Sequence, residues 1–418
     1  MLSNRGGMFY TDDELIELFA TSANPRELFA RLSAAGTPLV HPTRPLMTFI
    51  VDTDTLGAAL PEEPVREVHL WINRLTDKAH HEHGVMRQVP GTSVWVRTVY
   101  VPPTVRAAYC FRLNAGGHRP PGHNQFPHAR DPFARGGTVV DAGSCGLSLL
   151  LGARQSPSTQ WARLDRHRPA SYRTFTEGGK QYFWWAPAAA FQDLPLLILA
   201  DADVWFTRQR LDLVLGQAIA TGKLPPVAVI GRGFASAADR KESLGLNSQF
   251  QAELTSGLAG LARREAKNSG HQLSDLPPII AGQSLGAFNA LIAAMDSPQA
   301  FSSVITYSPS LWWSPAPGAS PRDLHTQITP WLVERLYAKS AADFPDFPIV
   351  YLAAGLREDQ LLPHCLNLAF ALEDCGWPHT YQTVDGGHDI AWWRELLLSH
   401  LAAALKGLPP AALNPNCF

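Results

Sequence analysis

Residues 277–295 read PPIIAGQSLGAFNALIAAM. An apolar run from Pro278 ends in Gly282-Gln283-Ser284-Leu285-Gly286 and passes at once into small and apolar residues. A glycine on each side of Ser284 leaves no Cβ to clash where a strand turns sharply into a helix, and such a turn lifts the serine hydroxyl out of the backbone. The pattern predicts a nucleophile elbow, which sets an order along the chain: serine, then an acid, then a histidine.

The surroundings of the elbow agree with it. From Gln181 onward, apolar runs alternate with helical stretches: Tyr182–Pro187, Pro195–Asp201, Val227–Gly231, Pro278–Gly282, Ser303–Ser308 and Ile349–Gly355, with a helix expected over Ser248–Lys267. Uninterrupted apolar strands of this kind suit a sheet covered on both faces. Open α/β sheets place their sites at the carboxyl ends of strands, and Ser284 falls at such an end. Upstream the text differs. After a helical opening (Asp12–Ala34), the segments Leu46–Asp52, Glu67–Asn73, Ser93–Val101 and Ala107–Leu113 are short, rich in Val, Tyr, Trp and Phe, and separated by turn residues. They predict an immunoglobulin-like β-sandwich. Asn114–Gly137 is loop by composition. The expected organisation is an N-terminal all-β sandwich over 1–170, assigned to substrate recognition, and an α/β-hydrolase catalytic domain over 171–418.

Composition sets bounds. The 418 residues carry 35 basic and 37 acidic side chains, a formal net charge of -2. That leaves no basic field for nucleic acid or an anionic membrane surface. The first residues lack a basic start followed by an apolar core, and no apolar run is long enough to span a bilayer, so neither a secretory signal nor a membrane anchor is expected. Five cysteines (Cys110, Cys145, Cys365, Cys375, Cys417) are scattered without C-x-x-C spacing. Reduced thiols and a cytoplasmic location are expected.

An elbow serine needs a base. Among the histidines downstream of Ser284, His388 sits in the glycine-rich turn Asp385-Gly386-Gly387-His388, whereas His364, His379 and His400 lie in less suggestive contexts. The acid should follow the strand that precedes the histidine, where Gly355 is succeeded by Glu358 and Asp359. Glu358 is the first choice and Asp359 the alternative. His388 would take the proton from Ser284, and the acid would hold the imidazole tautomer and stabilise its cation. For the oxyanion, Leu285 N–H follows from the elbow, and a second donor is expected at Asp203 N–H or its neighbour Ala202.

With these residues in place, the chain resembles the enterochelin (enterobactin) esterases, siderophore trilactone hydrolases of the esterase D-like α/β-hydrolase type. The resemblance rests on Trp71–Lys78, Met86–Pro103, Ala107–Asn114 and Asp131–Ala134 in the first half. In the second it rests on TGKLPPVAVI, Arg240–Leu254, AGQSLGAFNAL, Ser308–Trp313 and DGGHDIAWWR. It implies Ser284, Glu358 and His388 as the triad and Asp201-Ala202-Asp203 as the oxyanion loop. Relatives tend to carry Asp-Gly where this chain has Asp201-Ala202, which leaves the choice between Ala202 and Asp203 open. It further implies a ferric catecholate siderophore such as enterobactin as substrate, with no cofactor, iron arriving only inside the substrate.

A flat-faced aromatic trianion calls for aromatic walls and cations. Trp312, Trp313, Trp205, Trp392 and Trp393 are candidates for the first, Arg240 and Arg357 for the second; core packing and ordinary ion pairs are the competing roles. The histidine groups at His80–His83 and at His118, His123 and His128 lack the i, i+4 helical spacing of a metalloprotease, so no resident metal is expected. Two alternatives stay open: a carboxylesterase of the same fold acting on feruloyl, acetyl or other small esters, and a non-catalytic ligand-binding protein.

Overall fold

The computed structural model describes residues 9–407 apart from 57–63, 115–126, 141–145, 159, 162–163, 165–167, 317, 326 and 340–346. Four residues singled out above, His118, His123, Cys145 and Cys417, lie outside the described residues. The chain forms two compact units: Met1–Ala162 together with Asp385–Trp392, and Arg163–Val384 together with Trp393–Phe418. The short segment around His388 thus belongs to the first unit, although it lies far from it in sequence.

In the first unit, the helical opening is two helices, Asp12–Ala20 and Pro25–Ala34, rather than one. The break is legible in retrospect, because Asn24 caps the second helix and Pro25 occupies its first turn, where a missing N–H costs nothing. The strands are β1 (Leu39–Val40), β2 (Leu46–Asp52), β3 (Glu67–Ile72), β4 (Arg87–Gln88), β5 (Val94–Tyr100), β6 (Arg106–Asn114), β7 (His128–Ala129), β8 (Thr138–Val140) and β9 (Leu147–Leu151). They make a four-stranded sheet in the order β1-β2-β5-β4 and a five-stranded one in the order β3-β6-β9-β8, with β7 on β6. Strand periodicity explains the packing. Met47, Phe49 and Val51 of β2 join Val68, Leu70 and Ile72 of β3 in a core lined by both sheets. From the opposite face of β2, Ile50 packs with Leu15, Phe19, Leu28 and Phe29 of the helices.

The second unit is built on one eight-stranded sheet: β10 (Arg173–Glu177), β11 (Lys180–Trp185), β12 (Leu196–Leu199), β13 (Ala228–Arg232), β14 (Ile279–Gln283), β15 (Ser303–Tyr307), β16 (Ile349–Gly355) and β17 (His379–Val384). Their order is β10-β11-β13-β12-β14-β15-β16-β17. The first two strands run antiparallel and every pairing from β13 to β17 is parallel. β12 to β15 are buried along their whole length, as the apolar runs predict. The helix expected over Ser248–Lys267 forms as Ser248–Ala252 and Leu258–Asn268 joined by a π turn at Glu253–Gly257. β14 therefore delivers Ser284 at the C-terminal edge of a covered parallel sheet.

Candidate active site

Ser284 follows β14 directly, with φ 55° and ψ -120°, and the helix Leu285–Asp296 starts at the next residue. A serine in this left-handed region costs on the order of 1–3 kcal/mol, so the surroundings must hold it there. Its N–H donates to Tyr307 O (2.9 Å), its carbonyl accepts from Ser310 N–H (3.1 Å), and its Oγ lies 3.2 Å from Ser310 Oγ. Both neighbouring glycines are required by space. A Cβ on Gly282 would sit 2.3 Å from the Gly286 carbonyl carbon, and one on Gly286 would sit 2.7 Å from Asp201 Oδ2. Leu285, at the first position of the helix, is one of those whose N–H has no intrahelical acceptor.

The second expected donor lies on the turn after β12. Ala202 and Asp203 open a short helical turn, so their N–H groups are also of the kind a helix start leaves over. Asp201 anchors this turn. It is fully buried, its Oδ1 takes the Arg240 Nε–H and its Oδ2 takes Arg240 Nη2 (2.9 Å) and Gln283 Nε2 (3.2 Å). Trp205 Nε1 then donates to Gln283 Oε1 (3.1 Å). One network therefore ties the turn to Gln283, the residue preceding Ser284. Arg240, expected as a substrate cation, is committed to Asp201: burial works against its charge, but Asp201 outweighs that and raises its pKa. Trp205, expected as an aromatic wall, is 2% exposed and part of the same network. Burial, reinforced by the charge of Asp201, raises the Asp203 carboxyl above its ordinary range.

Of the two candidate acids, Glu358 is 2% exposed and its Oε1 accepts from Ser308 Oγ (2.6 Å), whereas Asp359 is exposed and has φ 47°. Arg357 is half-buried beside them. Trp312 and Trp313 are half-buried against the core of the second unit, Trp313 at 5.4 Å from the Phe288 ring and 6.2 Å from that of Trp331.

His388 sits in the segment 385–392 of the first unit, which is fastened along β6. Arg106 N–H donates to Asp385 O (2.9 Å), Thr104 Oγ1 to Asp385 Oδ2 (2.5 Å), Ala108 N–H to Asp389 Oδ2 (2.6 Å) and Asn73 Nδ2 to His388 O (3.5 Å). Trp392, 1% exposed, closes the loop by donating from Nε1 to Gly387 O (2.6 Å). Gly386 and Gly387 fit because a Cβ on the first would lie 2.9 Å from Arg106 O, and on the second 2.0 Å from Asn73 Oδ1. The other downstream histidines are placed differently. His379 opens β17, His364 is buried with Nε2 3.0 Å from His325 O, and His400 is buried with Nδ1 2.9 Å from Tyr307 OH and a pKa lowered by burial to about 3. Among the described residues no three His, Cys, Asp or Glu side chains gather as a metal site. His81 stacks on His69 with ring centroids 4.0 Å apart.

Three supporting residues escaped the sequence reading. Asp389 had a signal, a carboxylate in the capping position before a helical run. Ser308 and Ser310 had only their place at the end of the strand beside the elbow strand.

A profile of the family described as "Putative esterase" matches residues 187–404, more than half of the chain. The chain belongs to this esterase family. A second profile, described as the N-terminal part of enterochelin esterase, matches residues 52–161, so the resemblance read from the sequence holds in both halves. The iron(III) salmochelin esterase of Escherichia coli O6:H1 is 28% identical over 351 residues, covering 80% of this chain and 83% of that protein. The iron(III) enterobactin esterase of Dickeya dadantii is 25% identical over 433 residues, covering 95% and 97%. Among solved structures, the enterobactin esterase of Shigella flexneri in the presence of enterobactin superposes with a TM-score of 0.69 at 21% identity, covering 87% of this chain and 93% of that one. At that identity the superposition speaks for the fold alone, an α/β-hydrolase type of esterase preceded by a β-rich domain.

Proposed function

We propose that this esterase is a serine hydrolase that opens the ester bonds of ferric catecholate siderophores of the enterobactin type, so that the loosened catecholates release iron. The observation that carries the chemistry is the left-handed Ser284 at the end of β14, framed by two glycines that admit no side chain. The substrate class rests on the relatives, whose names are iron(III) salmochelin and enterobactin esterases, and on the enterochelin-esterase match of the first half. In this reading His388 accepts the proton of Ser284 Oγ as it attacks the lactone carbonyl, and Glu358 stabilises the imidazolium. Leu285 N–H, with Asp203 or Ala202 N–H, stabilises the oxyanion. The imidazolium then protonates the leaving alkoxide, and water attacking the acyl-enzyme restores Ser284 by the reverse proton path. No cofactor is needed, iron being cargo.

The first unit reads as an immunoglobulin-like sandwich that contacts the siderophore arms, with Arg357, Trp312 and Trp313 as substrate-side residues, and Arg240, whose side chain is 29% exposed beside its Asp201 pairing, as a further cation. The free thiols of Cys110 and Cys365 suit a reducing, cytoplasmic setting. An alkyl fluorophosphonate should add to Ser284 and abolish turnover. Inactivation with the label on another residue would remove the nucleophile assignment.

A further inference from the structure

Ser308-Pro309-Ser310 follows β15 and touches two members of the proposed triad at once. Ser308 is the unusual residue of the three: it is fully buried, has φ 47°, and precedes a proline. A non-glycine residue keeps such a backbone only where its contacts over-determine it. Its N–H donates to Ala353 O of β16 (2.9 Å). Its Oγ lies 3.0 Å from Trp393 Nε1 and 2.6 Å from Glu358 Oε1. An indole N–H can only donate, so it occupies a lone pair of Oγ, and the single hydroxyl proton is directed at the carboxylate. The polarity of the chain is thereby fixed: Trp393 N–H to Ser308 O–H to Glu358 Oε1, each bond strengthening the next. Two residues on, Ser310 holds the carbonyl and Oγ of Ser284, and one residue back Tyr307 O takes the Ser284 N–H.

We infer that Ser308 is a positioning residue for the acid. Its hydroxyl pins one oxygen of Glu358 and so sets the direction in which the other meets an imidazole, and the turn that carries it ties this direction to the nucleophile. The inference rests on the reading of Ser284 as nucleophile and Glu358 as acid.

The test is Ser308→Gly, which removes the hydroxyl while suiting φ above zero, compared with Ser308→Cys, which keeps the shape but donates weakly. Loss of one hydrogen bond to a charged group corresponds to a fall in kcat of about 10- to 100-fold, with KM for a small activated ester changed less than about threefold. The acidic limb of the kcat/KM pH profile should move to lower pH, because a poorly held carboxylate stabilises the imidazolium less. Ser308→Cys should fall between wild type and Ser308→Gly. Ser284→Ala and Glu358→Gln run in the same assay keep the two readings apart, since activity in those variants would refute the triad itself. If they are inactive while Ser308→Gly retains the wild-type kcat and pH profile, the positioning role is overturned. It is equally overturned if both Ser308 variants unfold at the assay temperature, since the hydroxyl would then be holding the fold and not the acid.

Discussion

Replacing Asp389 by alanine should damage catalysis on every ester, small or large. The carboxylate is 4% exposed and accepts two backbone N–H groups, Ala108 on β6 through Oδ2 (2.6 Å) and Ala391 at the start of the last helix through Oδ1 (2.9 Å). Loss of the helix cap is worth about 1 kcal/mol, and leaving the strand N–H buried without an acceptor costs about 1–3 kcal/mol more. The expected destabilisation is therefore about 2–4 kcal/mol. Asp389→Asn, which keeps one oxygen and turns an NH2 towards the other donor, should lose less. Because the residue follows His388 directly and holds the loop to β6 and to the last helix at once, kcat should also fall at least about tenfold at temperatures where the variant is still folded. Urea denaturation gives the first quantity, and steady-state hydrolysis of a chromogenic acetate ester gives the second. A stability within about 0.5 kcal/mol of wild type together with an unchanged kcat would refute the idea that Asp389 fixes the histidine loop.

Glu358→Gln should depress kcat by orders of magnitude while Asp359→Asn leaves it within about twofold, since the former is buried on Ser308 and the latter is exposed; the opposite ranking transfers the role of acid to Asp359. His400 makes stability depend on pH. Its folded pKa is about 3 because of burial, against about 6.5 in an unfolded chain, so between those values the unfolded state binds a proton that the folded state does not. Stability is full above about pH 6.5 and falls as the pH drops, by about 2 kcal/mol between pH 7 and pH 5 from this group. His400→Gln, which can still pair with Tyr307, should flatten that slope in paired urea titrations; an unchanged slope would assign it elsewhere.

The inner strands of both units were legible because they are buried on both faces: β2 of the first unit and β16 of the second begin and end at the residues the apolar runs delimit. The edge strands β10 and β17 were not, because β10 is largely exposed and β17 half-exposed, and their polar residues mask the alternation. The elbow was readable from two glycines and a serine, since the constraint is local. What holds the site was not. Asp201 with Arg240, Ser308 with Glu358 and Asp389 with Ala108 are pairs separated by 39, 50 and 281 positions, and nothing in local spacing announces them. Arg240 and Trp205 look in the sequence like ligand-facing groups, and only the structure shows that Trp205 is buried and that Arg240 pairs with Asp201 in support of the turn after β12.

The central claim is that Ser284 opens siderophore ester bonds. Mass spectrometry of ferric enterobactin incubated with the wild-type chain and with Ser284→Ala tests it in a single comparison. A linear trimer one water heavier than the trilactone, or the smaller fragments of further cuts whose masses sum to the trilactone plus one water per bond, formed by the wild type and absent with Ser284→Ala, is the expected result. Intact trilactone after incubation with a wild-type chain that still hydrolyses a small ester would contradict it.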